Sequence, residues 1–159
     1  LASKDAVIAS GQRTVLKRIP IGSFVYNIEL TRGKGGQLAR SAGVGAEVMA
    51  HENGSTKLKL PSGEIRLIDW DNYASIGQVS NPENFLEVIG RAGRGRLMGR
   101  RPTVRGKAMN PRDHPYGGGE GRTTRGTKRP KTKWGKVTGG RKTRKRSKSN
   151  KMIIQRRHV

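Results

Sequence analysis

The sequence predicts a mainly β fold, in which a small barrel with one short helix precedes a long, irregular and basic extension. Two observations support it: several short segments with strand-like alternation lie before residue 90, and the composition changes abruptly after it. Residues 1–90 contain ten Lys or Arg and nine Asp or Glu, for a net charge of +1. Residues 91–159 contain 24 basic and two acidic residues, for a net charge of +22. A segment so charged and so poor in apolar residues cannot offset its ordering entropy by burying area alone.

The predicted strands come from short runs in which apolar and polar residues alternate, the pattern of a half-buried strand. In residues 23–30, SFVYNIEL, this alternation places Phe24, Tyr26, Ile28 and Leu30 on one face. Further strands are predicted at residues 45–51, 55–60 and 64–70, with a fifth candidate at 74–80. Several short strands at close spacing, joined by Gly-rich turns, are typical of a small β-barrel.

Turn and cap residues set the boundaries of these elements. Asn53-Gly54 separates two predicted strands and is a strong signal for a two-residue hairpin turn. The run NPENFLEVIGRAG (81–93) predicts one short helix that begins after the Asn81 cap and stops near Gly90. No periodicity is visible beyond this helix, so the rest of the chain is expected to be extended and to order only against a partner.

Composition excludes several classes of protein. The 159 residues allow one domain with tails, or at most two very small domains. Without cysteine there is no disulfide framework, thiolate zinc site or thiol nucleophile, and single histidines such as His51 and His158 give no ligand cluster. The sequence contains no apolar run near the roughly 20 residues that span a bilayer, no signal-peptide pattern and no nucleotide-binding glycine motif. We therefore expect no metal, no cofactor, no small-molecule substrate and no membrane partner.

The net charge of +23 points instead to a polyanionic partner. Each Lys or Arg placed on a phosphate releases condensed counterions and adds affinity that does not depend on sequence. The extension also contains Trp134, Pro130 and many glycines, a mixture suited to lying between RNA helices, where Arg planes and an aromatic ring can stack on unpaired bases. A solvated tail is the alternative for this segment, and a free RNA- or DNA-condensing protein is the alternative function.

Two loops are candidate sites. TRGKGGQLARSAG (31–43) combines basic residues with glycines that let the backbone approach a phosphate closely, although an ordinary hairpin loop is the alternative. In MNPRDHPYGGGEGR (109–122), Asp113 beside His114 suggests a carboxylate that orients an imidazole. Neighbours in sequence seldom point at one another, and the prolines describe a kinked loop. We predict no enzyme activity, with His114 as a weak catalytic candidate only.

One long segment carries a family resemblance. RPTVRGKAMNPRDHPYGGGEGR (101–122) resembles the signature of the universal large-subunit ribosomal protein two family, of the bacterial and organellar type. RIPIGSFVYNIELTRGKGGQLARSAG (18–43), SGEIRLID and the closing KWGK and GRKTRKRSKSNKMIIQRR segments are similar to other parts of that family. The family usually has histidine where this chain has Tyr26 and Tyr116, which lack an imidazole that titrates near neutral pH.

The resemblance implies the later part of a family member. An SH3-like barrel would occupy residues 20–92 and an extended basic rRNA-binding tail residues 93–159, with residues 1–19 as a lead-in left from a preceding oligonucleotide-binding barrel. It implies a structural constituent of the large ribosomal subunit that binds rRNA near the peptidyl-transferase centre and supports assembly, subunit association and translation. Expected partners are large-subunit rRNA and other ribosomal proteins, including a separate chain that carries the N-terminal barrel. A chain that begins at Leu1 fits a processed protein of the mitochondrial matrix, with bacterial cytoplasm or plastid stroma as alternatives.

The residues expected to bind RNA are basic side chains, glycines and a few loop residues. In the first loop they are Arg32, Lys34, Gly35, Gly36 and Arg40. In the signature loop they are Asn110, His114, Gly117, Gly118, Gly119 and Arg122. In the rest of the extension they are Arg91, Arg94, Arg96, Arg100, Arg101, Arg105, Arg125, Lys128, Lys133, Trp134, Lys136, Arg141, Lys142, Arg144, Lys145 and Arg146.

Overall fold

The structure, a computed structural model of the chain, describes residues 8–121, 123–140 and 148–157. The described residues divide into two compact units. The first comprises residues 8–87 together with 148–157, and the second comprises residues 88–121 and 123–140.

The first unit is built from antiparallel strands. In chain order these are β1 (Arg13–Val15), β2 (Phe24–Tyr26), β3 (Ile28–Glu29), β4 (Gly36–Leu38), β5 (Ala46–Glu52), β6 (Ser55–Lys59), β7 (Ile65–Asp69), β8 (Tyr73–Ile76) and β9 (Ile153–Gln155). The main sheet has the order β1-β8-β2-β5-β6-β7-β9, and β3 pairs with β4 in a separate ribbon. The predicted mainly β fold class is confirmed, and the open sheet is consistent with a small SH3-like domain.

The apolar core lies inside the first unit and includes residues from the start of the chain. Leu16 and Ile19, in and just after a 3-10 turn at Leu16–Arg18, are fully buried. The other core members come from the strands and are Val25, Ile28, Ala46, Val48, Leu58, Ile68 and Ala74. Residues 13–19 were predicted to belong to a lead-in, but β1 pairs with β8 and this segment supplies part of the core.

The segment 23–30 differs from the single strand predicted for it. Asn27 has a φ of 50°, in the left-handed region, and separates β2 from β3. This break shifts the alternation, so that Val25 and Ile28 are buried while Phe24 is exposed. The predicted common face of alternate residues was therefore wrong at its first half. Asparagine tolerates the left-handed region better than most residues. Asn27 was therefore a sequence signal for a break in this strand, and the regular alternation around it favoured a continuous strand instead.

Residues 53–54 form the predicted hairpin turn between β5 and β6. Asn53 and Gly54 both have positive φ, 48° and 79°, as a turn that matches strand twist requires. The hairpin pairs Glu52 with Ser55 and continues to Glu47 opposite Lys59. This prediction is confirmed.

The single helix predicted over residues 81–93 is absent from the described structure. A 3-10 helix covers Pro82–Leu86, and α1 (Ala92–Leu97) follows separately in the second unit. Asn81 is left-handed, with a φ of 60°, and its side chain makes no cap hydrogen bond. Residues 81–88 are all exposed, so no apolar face is buried to stabilise a longer helix. Gly99, at a φ of 81°, follows α1 in the position that glycine favours at helix ends.

The C-terminal end of the described chain returns to the first unit. A 3-10 helix at Lys148–Met152 leads into β9, which pairs with β7 through Ile65 opposite Gln155 and Arg66 opposite Ile153. The sequence analysis placed these residues in one extended tail from 93 to 159. The short apolar run at 152–154 explains the difference, because β-branched residues such as Ile153 and Ile154 favour a strand.

The second unit has little regular structure and no buried residue among those described. Besides α1 it contains a 3-10 turn at Gly106–Ala108 and a single β-bridge between Lys131 and Val137. Its conformation is therefore maintained by backbone hydrogen bonds and close backbone contacts. This agrees with the expectation that the basic half lacks an apolar core.

A buried ion pair ties three strands and a loop together in the first unit. Glu29 is 5% exposed, and its Oε1 accepts a hydrogen bond from Arg13 Nη2 at 2.9 Å. Its Oε2 accepts from the backbone N–H groups of Gly33 and Tyr73, at 3.3 and 3.4 Å. Arg13 also donates to the carbonyl of Asn27 at 2.7 Å. Burial alone raises the pKa of Glu29, but the hydrogen bonds from Arg13, Gly33 and Tyr73 outweigh it and hold that pKa below its ordinary value.

We expect this carboxylate to make the first unit sensitive to acid. Because the folded-state pKa of Glu29 lies below its unfolded-state pKa, the group adds stability above the unfolded value, and this is lost as pH falls through the folded value. Glu29→Gln should lower the free energy of unfolding at neutral pH by about 3 kcal/mol, the scale for removing one partner of a buried ion pair. Chemical denaturation followed across the acid range checks both effects. Glu83→Gln, at an exposed carboxylate, is the control, and equal acid sensitivity in both variants would contradict the prediction.

Candidate nucleic-acid interface

The first loop with candidate RNA-binding residues connects β3 to β4. Arg32, Lys34 and Gly35 are exposed on it, and the N–H of Gly33 is held by the buried carboxylate of Glu29. The loop is thus attached to the core at its centre while its basic side chains face solvent. Such an arrangement presents positive charge on a fixed backbone, which reduces the conformational entropy lost on binding.

The other two candidate residues of this segment differ in role. Gly36 lies in β4, where an added Cβ would meet the carbonyl oxygen of Asn27 at 2.6 Å. Glycine is therefore required there by packing within the protein, without reference to RNA. Arg40 is exposed and follows Ala39, which has a φ of 49° and accepts the N–H of Asn27 at its carbonyl.

The signature loop of the second unit is closed by backbone hydrogen bonds. The carbonyl of Asn110 accepts the N–H groups of Asp113 and His114, at 3.0 and 3.3 Å. Gly117 donates to the carbonyl of His114 at 2.9 Å, and Gly118 donates to that of Met109 at 3.2 Å. The loop is therefore a compact double turn whose shape does not depend on an apolar core.

Glycines make this double turn possible because larger residues at these positions would collide with neighbouring residues of the loop. An added Cβ at Gly117 would lie 2.3 Å from the carbonyl oxygen of Asn110. At Gly118 it would lie 2.5 Å from Pro111, and at Gly119 2.4 Å from Thr123. The glycines were predicted to offer bare backbone to RNA, and within the protein they have this separate packing role.

His114 is a structural part of the loop. Its Nδ1 accepts a hydrogen bond from the backbone N–H of Tyr116 at 3.1 Å, and the two rings lie 4.7 Å apart. The ring also lies against Gly106, where an added Cβ would be 2.6 Å away. No hydrogen bond joins Asp113 to His114 within the described part of the chain. The nitrogen that a carboxylate would orient in an acid–base pair is already occupied by Tyr116.

Tyr116 connects the signature loop to the next turn of the second unit. Its hydroxyl accepts a hydrogen bond from the backbone N–H of Lys131. Residues 130–138 form a narrow turn in which Thr132 and Thr138 donate to the carbonyls of Lys136 and Pro130, each at 2.8 Å. Trp134 is 74% exposed at the end of this turn, with Lys133 Nζ 4.6 Å from its ring centre.

The remaining candidate basic residues of the described second unit are exposed. They are Arg91, Arg94, Arg96, Arg100, Arg101, Arg105, Arg125, Lys128, Lys133 and Lys136. Several of them line one shallow groove around α1 together with Leu97, whose side chain is 90% exposed. Six further candidates lie outside the described residues: Arg122, Arg141, Lys142, Arg144, Lys145 and Arg146.

Sequence analysis missed the residues that fix these loops. Glu29 and Arg13 hold the first loop, while Gly106 and Tyr116 hold His114. An acidic residue inside an otherwise apolar strand was the available signal for Glu29. No signal in the sequence pairs Gly106 with His114, because their contact depends on the path of the loop between them.

The described residues do not indicate a metal site or a membrane-spanning helix. His51 bonds through Nε2 to the carbonyl of Ile19 and through Nδ1 to the hydroxyl of Thr56, each at 2.9 Å, so it packs the sheet against the first 3-10 turn. Within residues 8–121, 123–140 and 148–157 there is no cluster of three potential metal ligands. The same residues contain no helix that is both long enough and apolar enough to cross a bilayer.

Comparison with known proteins assigns the chain to a family. The family model described as Ribosomal Proteins L2, C-terminal domain, matches residues 9–135. A Large ribosomal subunit protein uL2 from Rhodospirillum centenum is 52% identical over 150 residues, covering 94% of this chain and 54% of that relative. The protein of the same name from Rhodospirillum rubrum is 48% identical over 159 residues, covering all of this chain and 57% of that relative. The chain thus spans little more than half the length of these curated relatives. It belongs to the bacterial-type uL2 family and corresponds to the family's C-terminal region.

Proposed function

We propose that this chain, a ribosomal protein of the large subunit, binds large-subunit rRNA near the peptidyl-transferase centre and supports assembly, subunit association and translation. The observation that carries the proposal is the second unit, in which exposed Lys and Arg surround a glycine-shaped loop with no buried residue among those described. Basic side chains neutralise phosphates, and the narrow double turn gives them a defined frame. The protein's role in this proposal is architectural.

A free condenser of RNA or DNA is a weaker explanation of the same charge. Condensation needs positive charge in any order, whereas the loop at residues 109–122 uses Gly117, Gly118 and Gly119 to avoid contacts of 2.3 to 2.5 Å. A second reason is the family itself, whose matched relatives are named as large-subunit ribosomal proteins. The requirement for glycine at particular loop positions therefore supports binding at one defined site on RNA.

The proposal extends to partners and compartment. We propose that the chain's partners include a further ribosomal protein of the same subunit. We place the ribosome in the mitochondrial matrix, where a bacterial-type protein fits an organellar particle. The matched relatives are bacterial, and the bacterial cytoplasm and plastid stroma are the alternatives. Purification of the native particle, followed by mass spectrometry of its subunits, tests both the partner chain and the compartment.

We expect the chain to sediment with large ribosomal subunits at moderate salt and to leave them only in concentrated salt. Each phosphate contact contributes a counterion-release term, so the logarithm of the binding constant should fall linearly with the logarithm of salt concentration. Sucrose-gradient fractions probed for the chain give the measurement. Recovery mainly on free RNA or DNA at moderate salt would support the condenser instead.

Gly117→Ala should weaken binding to large-subunit rRNA by about tenfold, a cost of roughly 1.4 kcal/mol, because a Cβ there forces the loop away from Asn110. Gly95→Ala is the matched control, since a Cβ at that helical position has open space around it and alanine favours the helix. Filter binding at fixed salt measures both variants. Equal loss in the two would indicate that the loop's shape does not matter for binding.

His114 should be needed for loop shape and subunit assembly, without taking part in chemistry. His114→Ala removes the acceptor for the Tyr116 N–H and the ring beside Gly106, so incorporation into large subunits should fall. His114→Gln keeps a side-chain acceptor and should recover part of that incorporation. Reconstituted particles carrying each variant are assayed for assembly and for peptidyl transfer. Normal assembly of the His114→Ala variant with abolished peptidyl transfer would support a catalytic imidazole.

A further inference from the structure

Arg66 occupies a position in the sheet that normally holds an apolar residue. It lies on β7 opposite Leu58, and Ile68, two residues further, lies opposite Thr56. Leu58, Thr56 and Ile68 are all buried, and side chains two apart on a strand share a face. Arg66 is therefore in the core-facing row. Its Nε is buried and has no hydrogen-bond partner among the residues that the structure describes.

A cleft of about 630 Å³ in the first unit includes this arginine. Its wall is formed by the β3–β4 loop, by β7 and by the 3-10 helix that precedes β9. The volume lies within the range of about 300–1,000 Å³ usual for pockets that hold small ligands. Two arginines lie in the wall, Arg32 on the loop and Arg66 on the strand. The cleft is therefore a concave, positively charged site with a buried donor that lacks a partner.

The other lining residues indicate what the arginines would recognise. Leu30, Leu67 and Met152 provide apolar surface, and Gln37 and Asn72 carry amides that both donate and accept hydrogen bonds. Asp69 also lines the cleft, and its Oδ1 already accepts the N–H of Asp71. A site for bare phosphate would not include a carboxylate. A carboxylate oxygen does, however, suit the amino group of a base.

We infer that this cleft holds one unpaired nucleotide of RNA, with its phosphate at Arg32 and Arg66 and its base against the apolar wall. The inference rests on the proposed binding of rRNA and adds a defined subsite to it. Duplex RNA does not fit such a site, because its bases are stacked and paired, whereas unpaired nucleotides can be turned out and read at their edges. Arg66 then becomes an RNA contact within the barrel unit, separate from the basic half of the chain.

The test compares Arg66→Gln with Lys59→Gln in the full chain. Both variants lose one positive charge, but Lys59 is exposed on β6 and does not line the cleft. We expect Arg66→Gln to weaken binding of a short cytidine oligonucleotide by about tenfold relative to Lys59→Gln, the loss typical of one hydrogen-bonded charge. Binding of duplex RNA and of inorganic polyphosphate should change equally in the two variants. Fluorescence anisotropy at fixed salt gives all three affinities.

Three results would overturn the inference: equal loss for the oligonucleotide in both variants, a matching extra loss for polyphosphate in Arg66→Gln, or a matching extra loss for duplex RNA. If Arg66→Gln does not fold, Arg32→Gln replaces it, because that side chain lies on an exposed loop outside the core. Photo-crosslinking of RNA that carries 5-bromocytidine, which keeps the amino group, to the wild-type chain gives an independent readout, with adducts expected in residues 30–37 or 66–72. Binding of large-subunit rRNA by both variants with no adduct there would reject the subsite alone. Absence of any rRNA binding by the wild-type chain would reject the proposed function as well.

Discussion

Glu29 is the one charged side chain that is buried in the described part of the chain, and the first unit is arranged around it. Its two oxygens accept hydrogen bonds from a guanidinium on β1, from the backbone N–H at the start of β8, and from a backbone N–H in the basic loop. A buried carboxylate is costly unless its lone pairs are satisfied, so these three donors must stay in place together. The loop that presents Arg32 and Lys34 is consequently attached to the core by charge, whereas the rest of the sheet is held by apolar packing.

The conformation of the second unit is defined by different interactions. Apolar burial is absent from its described residues, and repulsion among its cations opposes compaction. Its turns are closed by backbone hydrogen bonds and by glycines at positions where a Cβ would overlap a neighbouring carbonyl or proline. Such contacts specify a conformation without contributing much hydrophobic stabilisation. The two units therefore differ in the forces that stabilise their conformations, and among the described residues the apolar core lies in the first unit.

Sequence reasoning was sufficient where one local signal dominates. Asn53-Gly54 determined a hairpin between the strands predicted at residues 45–51 and 55–60. It failed at Asn27, since a left-handed residue within an alternating run reverses which side chains face inward. It also failed for the helix near residue 81. Cap residues predict where a helix begins, but a longer helix is stable only if it buries an apolar face, and this segment buries none. In the two candidate loops, composition identified the exposed cations. The internal contacts of His114, and the inward position of Arg66, arise from tertiary pairing that no local window contains.

The return of the chain to the sheet through β9 changes how the basic segment should be understood physically. A segment held at one end samples a large volume, whereas one whose two ends join the same sheet is a closed loop with fewer conformations before it meets any ligand. Part of the conformational entropy that this segment would lose on binding a ligand is thus already lost when β7 and β9 pair. The three residues of β9 lie far from the signature loop in sequence. By pairing with β7 they raise the effective concentration of the intervening cations at a ligand bound to the first unit.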